Sequence, residues 1–228
     1  LSGKNYSKMV YLIKANLKLK HLIDLRMANV DMIVPGIEAL SADALKLLNK
    51  GVGVKENINL LRYARALGMF VYWHILWGIP NDKAEFYTET LELLPLIRHL
   101  QPPIEINHIQ ISRFSSYLEH PSDYGIRDLR PWPVYEMIYP EWADTGKLAF
   151  FFSGKYPCQS HTHPELVKEL FTEWEFWNKT WKETRLVLTG GGNSFIIHDN
   201  RENPGQSNHH KQHRLDLPGA LEVMNCKV

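Results

Sequence analysis

The sequence predicts an α/β fold in which parallel strands form half of a (β/α) barrel, followed by a smaller α+β tail. Between Met9 and Phe114, strand signals and helix signals alternate four times. Such alternation is typical of parallel strands joined by right-handed crossovers. Four strand–helix units are about half of a complete barrel. After Phe114 the alternation stops, and residues 115–146 are rich in Pro, Tyr and Trp.

Apolar runs of two periodicities define the first two units. Ser41 is a good N-cap, and Gly68 follows the last apolar residue of a helical stretch. Pro35 and Gly36 end the second strand pattern. The predicted elements are a strand over 9–14, a helix over 17–28, a strand over 31–35, and helices over 42–49 and 54–67.

The next two units follow the same pattern. A long apolar strand over 69–76 is stopped by Gly78 and Pro80. A helix is predicted over 84–100, ended by the prolines that follow it, and a strand over 104–114 shows alternating isoleucines. Because the alternation is already running at residue 9, we expect the beginning of the barrel to be missing from this chain.

The tail is predicted to be less regular. Its elements are an ordered loop over 115–146 with a short helix near 132–139, an apolar segment over 147–153, a helix over 164–183, a hairpin of 185–188 with 194–199, a polar loop over 200–214 and a last helix over 217–227. Trp174, Trp177 and Trp181 are expected to form the core stripe of their helix. We divide the chain into residues 1–128 and 129–228.

Charge and cysteine content exclude several classes. The formal net charge of the 228 residues is +1, which gives no reason to expect a nucleic-acid or membrane-surface partner. No apolar run reaches the roughly 18 residues that a membrane-spanning helix needs. Cys158 and Cys226 are the two cysteines, too few for a disulfide scaffold, a CxxC-type zinc site or an iron–sulfur cluster held by this chain alone. This cysteine usage predicts a reducing, cytoplasmic location.

Ligands of parallel α/β folds bind where the strands end. The candidate segments are Lys14–Asn16, Pro35–Glu38, Trp77–Asp82 and Arg113–Tyr117. A carboxylate just after a strand accepts both hydroxyls of a ribose in dinucleotide sites, but at this position it also commonly flanks the next helix. The glycine–proline turn has an ordinary turn explanation, and the arginine an ordinary ion-pair explanation.

Two further patterns are predicted to carry no cofactor. Gly190–Gly192 lacks the Gly-Lys-Ser/Thr of a phosphate loop and is interpreted as a hairpin turn. The histidines of the tail have no clear helical ligand spacing, so we predict no metal site for His161, His163, His209, His210 and His213.

Taken in order, four segments carry a specific resemblance. They are YLIKANL (11–17), VDMIVPGIEALSADALKLLNKGV (30–52), VYWHILWGIPND (71–82) and IQISRFSSYLEHPSDYGI (109–126). They resemble the radical S-adenosylmethionine (SAM) enzymes that mature ribosomally made peptides, in the cobalamin-type branch usually described as C-methyltransferases. The resemblance implies that the chain is the C-terminal half of a partial radical-SAM barrel with its tail.

The resemblance also implies cofactors and partners. Enzymes of this family cleave SAM with a [4Fe–4S] cluster held by a CxxxCxxC loop, and they carry a cobalamin-binding domain before the barrel. Neither is present in this sequence, so both are expected from a missing N-terminal half, which is one partner. The other partner is the precursor peptide. The isolated chain is expected to be inactive.

Site residues follow from the resemblance motif by motif. The cofactor-binding residues implied for the SAM pocket are Lys14 and Asn16 for its charged end, Pro35, Gly36 and Glu38 near the ribose, and Leu76, Gly78 and Pro80 at the adenine. The residues implied for the peptide substrate are Arg113, Phe114, Ser115 and Tyr117, from an RFSPY-like motif.

Two alternatives remain open. The first is a non-catalytic peptide-binding module derived from this family, which departures from the motifs at Leu12, Val34 and Asn81 favour. The second is a complete small α/β hydrolase or lyase. The sequence has no GxSxG motif, and Cys158 has no evident base nearby, so no nucleophile–base pair supports the second alternative.

Overall fold

A computed structural model describes residues 9–202 and 211–220. Its first half contains five strands and four helices in alternation. They are β1 (Met9–Leu12), α1 (Leu19–Met27), β2 (Val30–Val34), α2 (Ala42–Leu47), α3 (Val54–Ala66), β3 (Phe70–Val71), β4 (His74–Trp77), α4 (Ala84–Ile97) and β5 (Glu105–His108).

All strand pairs in this half are parallel. β1 pairs with β2 and β2 with β3 in one sheet, and β4 pairs with β5 in a second. Hydrogen bonds from the backbone of β4 to Ile37 and Glu38 join the second sheet to the segment that follows β2. Apolar side chains from the strands and helices form one core, in which Leu22, Ile33 and Leu60 are fully buried. The predicted α/β class with parallel strands is confirmed.

The second half adds short helices and two antiparallel sheets. Its elements are β6 (Ile111–Ser112), α5 (Ser116–Glu119), a 3-10 turn (Pro121–Tyr124), β7 (Arg127–Pro131), α6 (Pro133–Ile138), α7 (Thr145–Leu148), β8 (Phe151–Lys155), α8 (Gln159–Thr162), α9 (Pro164–Thr180), β9 (Leu186–Gly191), β10 (Ser194–Asp199) and β11 (Lys211–Leu215). β8 lies between β6 and β7, and β10 lies between β9 and β11.

The tryptophan stripe docks α9 on the parallel half, as predicted. Trp177 is fully buried, and its Nε1 donates to the Leu100 carbonyl at 2.9 Å. Trp174 Nε1 donates to the Pro103 carbonyl, and Trp181 packs against the same core. Among the described residues, no helix is both long and apolar enough to cross a bilayer.

The predicted strand over 69–76 is two strands, β3 and β4. Its first part bonds to β2, and its second part bonds to β5. The Gln101 side chain bonds both the N–H and the carbonyl of Val71, and so occupies the place of a neighbouring strand there. The predicted strand over 104–114 is likewise divided, because β6 leaves the parallel sheet and pairs antiparallel with β8.

Three predictions for the tail need correction. Residues 127–131, assigned to a loop, form β7, and the apolar segment over 147–153 begins as helix α7 before β8. The polar loop over 200–214 ends in β11, whose first four residues are all polar and which pairs with β10. The hairpin is confirmed. Residues 217–220 are helical, and the rest of the predicted last helix lies outside the described residues.

The boundary predicted at residue 128 falls within β7. β6, on the N-terminal side of that boundary, pairs with β8 on its C-terminal side. Strand pairing therefore continues across the division.

Candidate functional site

The carboxyl ends of the parallel strands lie at one edge of the sheet, and the segment 156–161 packs across part of it. The Leu76 N–H donates to the Glu38 carbonyl at 2.9 Å, which places the segment after β2 beside the last residues of β4. His108 ends β5, next to the turn at Gly78. Two of the predicted segments, Pro35–Glu38 and Trp77–Asp82, are thus adjacent.

Gly78 is enclosed on several sides. It has φ +70, and a Cβ there would overlap the imidazole of His108. Its N–H donates to the Tyr87 hydroxyl at 3.2 Å, and its carbonyl accepts from the Tyr156 hydroxyl at 3.0 Å. Burial is the main cause that raises the pKa of both tyrosines, so both hydroxyls keep their protons at neutral pH. Only glycine fits this position, and both of its backbone polar groups are bonded.

Asp82 ties the glycine turn to the segment that crosses the sheet edge. The carboxylate is 3% exposed and accepts the Tyr87 hydroxyl at 2.5 Å. It also accepts the backbone N–H groups of Gln159 and Ser160, at 2.6 and 3.3 Å. Because a buried carboxylate needs such donors, this network fixes α8 against the turn.

His108 and His161 face each other across the same turn. Their Nε2 atoms are 2.8 Å apart, and the ring planes differ by 5°. The ring centroids are 5.1 Å apart, farther than the Nε2 atoms, so the rings meet edge to edge. His108 Nδ1 lies 2.7 Å from the Ile109 carbonyl, which can only accept. The network therefore assigns the proton to Nδ1 of His108, whose Nε2 accepts from Nε2–H of His161.

The environment of this pair favours the neutral form of His108. Burial is the largest cause that lowers its pKa, and His161 lowers it further. The Trp77 ring stands perpendicular to both imidazoles. The hydrogen bond between the two imidazoles fastens α8 to the end of β5.

Glu38 lies half-buried at the end of the second strand. Its Oε1 is 2.5 Å from Lys50 Nζ, whereas Oε2 has no hydrogen-bond partner among the described residues. Burial, followed by the charges of Tyr124 and Glu38, raises the pKa of Tyr117 to about 12. Gly36 has φ +65 and open space where a Cβ would stand. A free carboxylate oxygen beside an open glycine suits a ligand that donates hydroxyls.

The remaining predicted cofactor residues lie around this centre. Lys14 and Asn16 are exposed after β1. Asn16 lines a cavity of about 630 Å³ together with Lys50, the ion-pair partner of Glu38. Pro35 and Pro80 are buried. Asn16 therefore shares a cavity with the ion-pair partner of Glu38.

The predicted peptide residues belong to the antiparallel part. The Arg113 guanidinium donates to the carbonyls of Gly146 and Ala149, both at 2.6 Å, and lies 5.4 Å from the Phe152 ring centre. It is neither ion-paired nor free in the described chain. Phe114 has φ +66 and is 78% exposed. The Ser115 hydroxyl donates to the Ser112 carbonyl, and Tyr117 packs edge-on against Tyr124.

Sequence reasoning missed the residues that enclose the glycine turn: Tyr87, His108 and Tyr156. It also treated His161 only as a metal candidate. His108 carried no clear signal, because the predicted strand over 104–114 placed it mid-strand, whereas the structure ends β5 there. Tyr87 and Tyr156 carried none, since their hydroxyls meet Gly78 from a helix and from a distant strand end.

The described residues do not provide ligands for an iron–sulfur cluster. Cys158 is buried, and its Sγ lies 3.1 Å from the Ser160 hydroxyl. Burial raises the pKa of this thiol, which disfavours the thiolate form. Iron–sulfur clusters are held by three or four thiolates. Across 9–202 and 211–220, no three His, Cys, Asp or Glu side chains converge on a point where a metal ion would sit.

Comparison with known proteins gives a structural likeness alone. No family profile and no curated protein matches the chain. A solved structure of the cobalamin-dependent S-adenosylmethionine radical enzyme OxsB with aqua-cobalamin bound is similar over 79% of this chain and 35% of that chain, with 14% identity and a TM-score of 0.51. The match therefore spans about a third of that OxsB chain, and over the matched part the folds are alike.

Two weaker likenesses accompany it. OxsB with aqua-cobalamin and S-adenosylmethionine bound is 19% identical over 53% of this chain and 18% of that chain, with a TM-score of 0.38. Elp3 of the archaeon Methanocaldococcus infernus, lacking its N-terminus, is 12% identical over 84% of this chain and 52% of that chain, with a TM-score of 0.44. Neither score is high enough to support an argument about fold.

Proposed function

We propose that the chain is the C-terminal part of a radical SAM enzyme that modifies a ribosomally made peptide, with C-methylation as the reaction. The observation that carries the proposal is the site at Gly36 and Glu38, where an open glycine and a free carboxylate oxygen follow a parallel strand. The likeness of fold to a cobalamin-dependent SAM radical enzyme supports it.

The residues at the sheet edge have separate tasks in this proposal. Glu38 Oε2 accepts the ribose hydroxyls of SAM, and Lys50 holds the carboxylate in place through Oε1. Lys14 and Asn16 meet the charged end of SAM. The N–H and the carbonyl of Gly78 are already bonded to Tyr87 and Tyr156. In this proposal Gly78 therefore lets the adenine approach the backbone closely but forms no hydrogen bond to it.

The adenine then packs against the flanking residues Leu76 and Pro80, since the Leu76 N–H is already bonded to the Glu38 carbonyl and proline has no N–H. The [4Fe–4S] cluster and the cobalamin belong to the N-terminal part of the longer protein, since the described residues offer no set of cluster ligands. When bound, the cluster supplies the electron that cleaves SAM.

The free edge of β1 is where that N-terminal part joins. Val10, Tyr11 and Leu12 are 52, 54 and 78% exposed, although the strand is apolar. Among the strands of residues 9–202 and 211–220, β1 pairs with β2 alone. Beside it lies a mainly apolar cavity of about 520 Å³ lined by Tyr11 and Ile13. Such an edge calls for a further strand, and the preceding strand of the barrel is the partner we propose.

An exposed apolar surface near Arg113 is the proposed peptide site. The Arg113 N–H donates to the Phe150 carbonyl, and the Phe150 N–H donates to the Tyr135 hydroxyl, so α6 and the segment after β6 are close. The large apolar side chains exposed here are Phe114, Val134, Met137, Ile138, Leu148 and Phe150. In this proposal Arg113 shapes the surface, whereas Phe114 and Tyr117 contact the peptide.

The test uses the complete polypeptide that contains this chain, with its cluster reconstituted and chemically reduced in the absence of oxygen. We expect 5′-deoxyadenosine to form from SAM, and a co-produced peptide to gain one methyl group by mass spectrometry. Glu38→Gln should lower 5′-deoxyadenosine formation at limiting SAM, whereas Glu173→Gln, an ion-paired glutamate on α9 with similar exposure, should not. Absence of 5′-deoxyadenosine from a fully reconstituted protein would contradict the proposal.

The second candidate is a peptide-binding module without chemistry. The observation that favours it is the same exposed apolar surface, which needs no cofactor to bind a peptide. The assay above separates the two, because a module binds the peptide and forms no 5′-deoxyadenosine.

A further inference from the structure

A third cavity lies at the opposite end of the parallel strands from the candidate site. It measures about 570 Å³ and is lined by Arg62, Arg65, His99, Arg185, Leu186 and Val187, among others. α3 ends at Ala66, just before β3, and His99 follows α4, before β5. The cavity therefore stands at the amino ends of these strands, with the first strand of the hairpin as its outer wall.

Three guanidinium groups line this cavity without a carboxylate beside them. No Asp or Glu is among its lining residues, and within the described chain none of the three arginines forms an ion pair. Arg62 donates only to the Asn59 side chain, at 3.1 Å. Arg65 lies over the Trp181 ring, 5.1 Å from its centre. Three positive charges are thus collected without a counter-charge in the wall.

The carboxylate of Asp199 raises the pKa of His99, but it is already ion-paired with Arg201. Its Oδ1 accepts from Arg201 Nε at 2.9 Å, and its Oδ2 from the same guanidinium at 2.7 Å. The third nitrogen of Arg201 donates to the Leu96 carbonyl. Because this bidentate pair is complete, it leaves the charges of Arg62, Arg65 and Arg185 uncompensated.

Nearby groups respond to this positive field. Burial and the charge of Arg185 lower the pKa of Arg65. Burial lowers the pKa of His99 to about 4, and Arg201, Arg65 and Arg62 contribute in the same direction against Asp199. His99 Nδ1 is buried without a hydrogen-bond partner in the described chain. The positive charge of the arginines therefore also affects a buried side chain in the cavity wall, His99.

The carbonyl end of α3 accounts for only part of this charge. A helix C-terminus is equivalent to about half a negative charge, and basic residues in the last turn are common there. Here Arg62 and Arg65 lie in the last turns of α3, and Arg185 reaches the cavity from another element. One helix end cannot balance three guanidinium groups.

We propose that this cavity binds a phosphorylated small molecule of about nucleotide size. The guanidinium groups match phosphate oxygens in pairs, and Leu186 and Val187 offer an apolar wall for the rest of the ligand. The volume lies within the roughly 300–1,000 Å³ that is typical of small-molecule sites. This site is separate from the SAM site proposed above, and it does not depend on that proposal.

Calorimetry on the whole chain tests the site. The probes are inorganic pyrophosphate and glucose 6-phosphate, and glucose, which has no phosphate, is the control ligand. We expect both phosphate probes to bind and glucose to give no heat. Arg65→Gln combined with Arg185→Gln should weaken pyrophosphate binding at least tenfold, whereas Arg130→Gln, an exposed arginine on β7, should not. Equal binding by the double variant and the wild type would overturn the proposal, as would no binding of either probe.

A second measurement needs no variant. The pKa of His99 is followed by NMR with and without pyrophosphate. An anion among the arginines offsets their field, so the pKa of His99 should rise when pyrophosphate binds. An unchanged pKa at saturating pyrophosphate would place the anion elsewhere and reject this cavity as its site.

Discussion

His108 Nε2 and His161 Nε2 lie 2.8 Å apart, edge to edge, and join the end of the last parallel strand to α8. His108 also fills the space that a side chain at Gly78 would need. Through these contacts the glycine turn, the strand end and the C-terminal segment form one unit. This unit forms one side of the edge at which Glu38 stands.

Gly78→Ala should destabilise the fold strongly. The new Cβ meets the His108 ring, and φ +70 is unfavourable for alanine. Strain and overpacking together should lower the free energy of unfolding by about 3 kcal/mol. Gly36→Ala is the matched control, because φ is +65 there but the space is open. Its loss should stay near 1 kcal/mol by urea denaturation. Equal losses would show that the His108 contact is unimportant.

Tyr87→Phe removes a hydroxyl that donates to Asp82 and accepts from the Gly78 N–H. The buried carboxylate loses a donor, so the free energy of unfolding should fall by about 1–3 kcal/mol. Tyr72→Phe changes an exposed tyrosine and should leave the free energy of unfolding nearly unchanged. Urea denaturation of both variants compares them. A loss at Tyr72 as large as at Tyr87 would argue against the Asp82 network.

The stability of the protein should fall in acid partly because of His99. Its pKa in the folded state is lowered to about 4, so the unfolded chain binds the extra proton first as the pH drops. The free energy of unfolding is unaffected by the titration of His99 above about pH 6.5. Between about pH 6.5 and 4 it falls because of His99 by up to roughly 1.4 kcal/mol per pH unit. His99→Gln should flatten this slope in urea denaturation, whereas His163→Gln, at an exposed position, should not. Parallel slopes for the wild type and His99→Gln would contradict this assignment.

Arg113→Lys should loosen the antiparallel sheet that contains β6 and β8. An ammonium cannot reproduce the fork that reaches both Gly146 and Ala149. Hydrogen exchange should increase over 149–152, with little change in the parallel strands. Arg127→Lys, at an exposed position of β7, is the control. Unchanged exchange over 149–152 in Arg113→Lys would show that the fork does not hold this segment.

The parallel half could be predicted because its signals are local. Ser41 does cap α2, and its hydroxyl accepts from the Ala44 N–H. The boundaries of the other helices followed from apolar periodicity and from the glycine and proline residues that come after them. The break between β3 and β4 could not be predicted, because the Gln101 side chain that replaces a strand there is thirty residues away.

For the candidate site, the sequence predicted which segments lie at the sheet edge but not which side chains contact one another. The predicted cofactor-binding residues at the strand ends include Leu76 and Glu38, which a backbone hydrogen bond joins. The contacts that enclose Gly78 come from Tyr156 and His161, whose positions depend on how the tail folds back. β11 was missed because its strand pattern is polar, and pairing with β10 forms it.

The most direct test of the central claim is calorimetric binding of SAM to this chain and to Glu38→Gln, with Glu173→Gln as the control. The proposed ribose contact predicts binding that weakens about tenfold in Glu38→Gln, or about 1.4 kcal/mol, and is unchanged in Glu173→Gln. If Glu38→Gln binds SAM as tightly as the wild type, the ribose site is not at the end of the second strand.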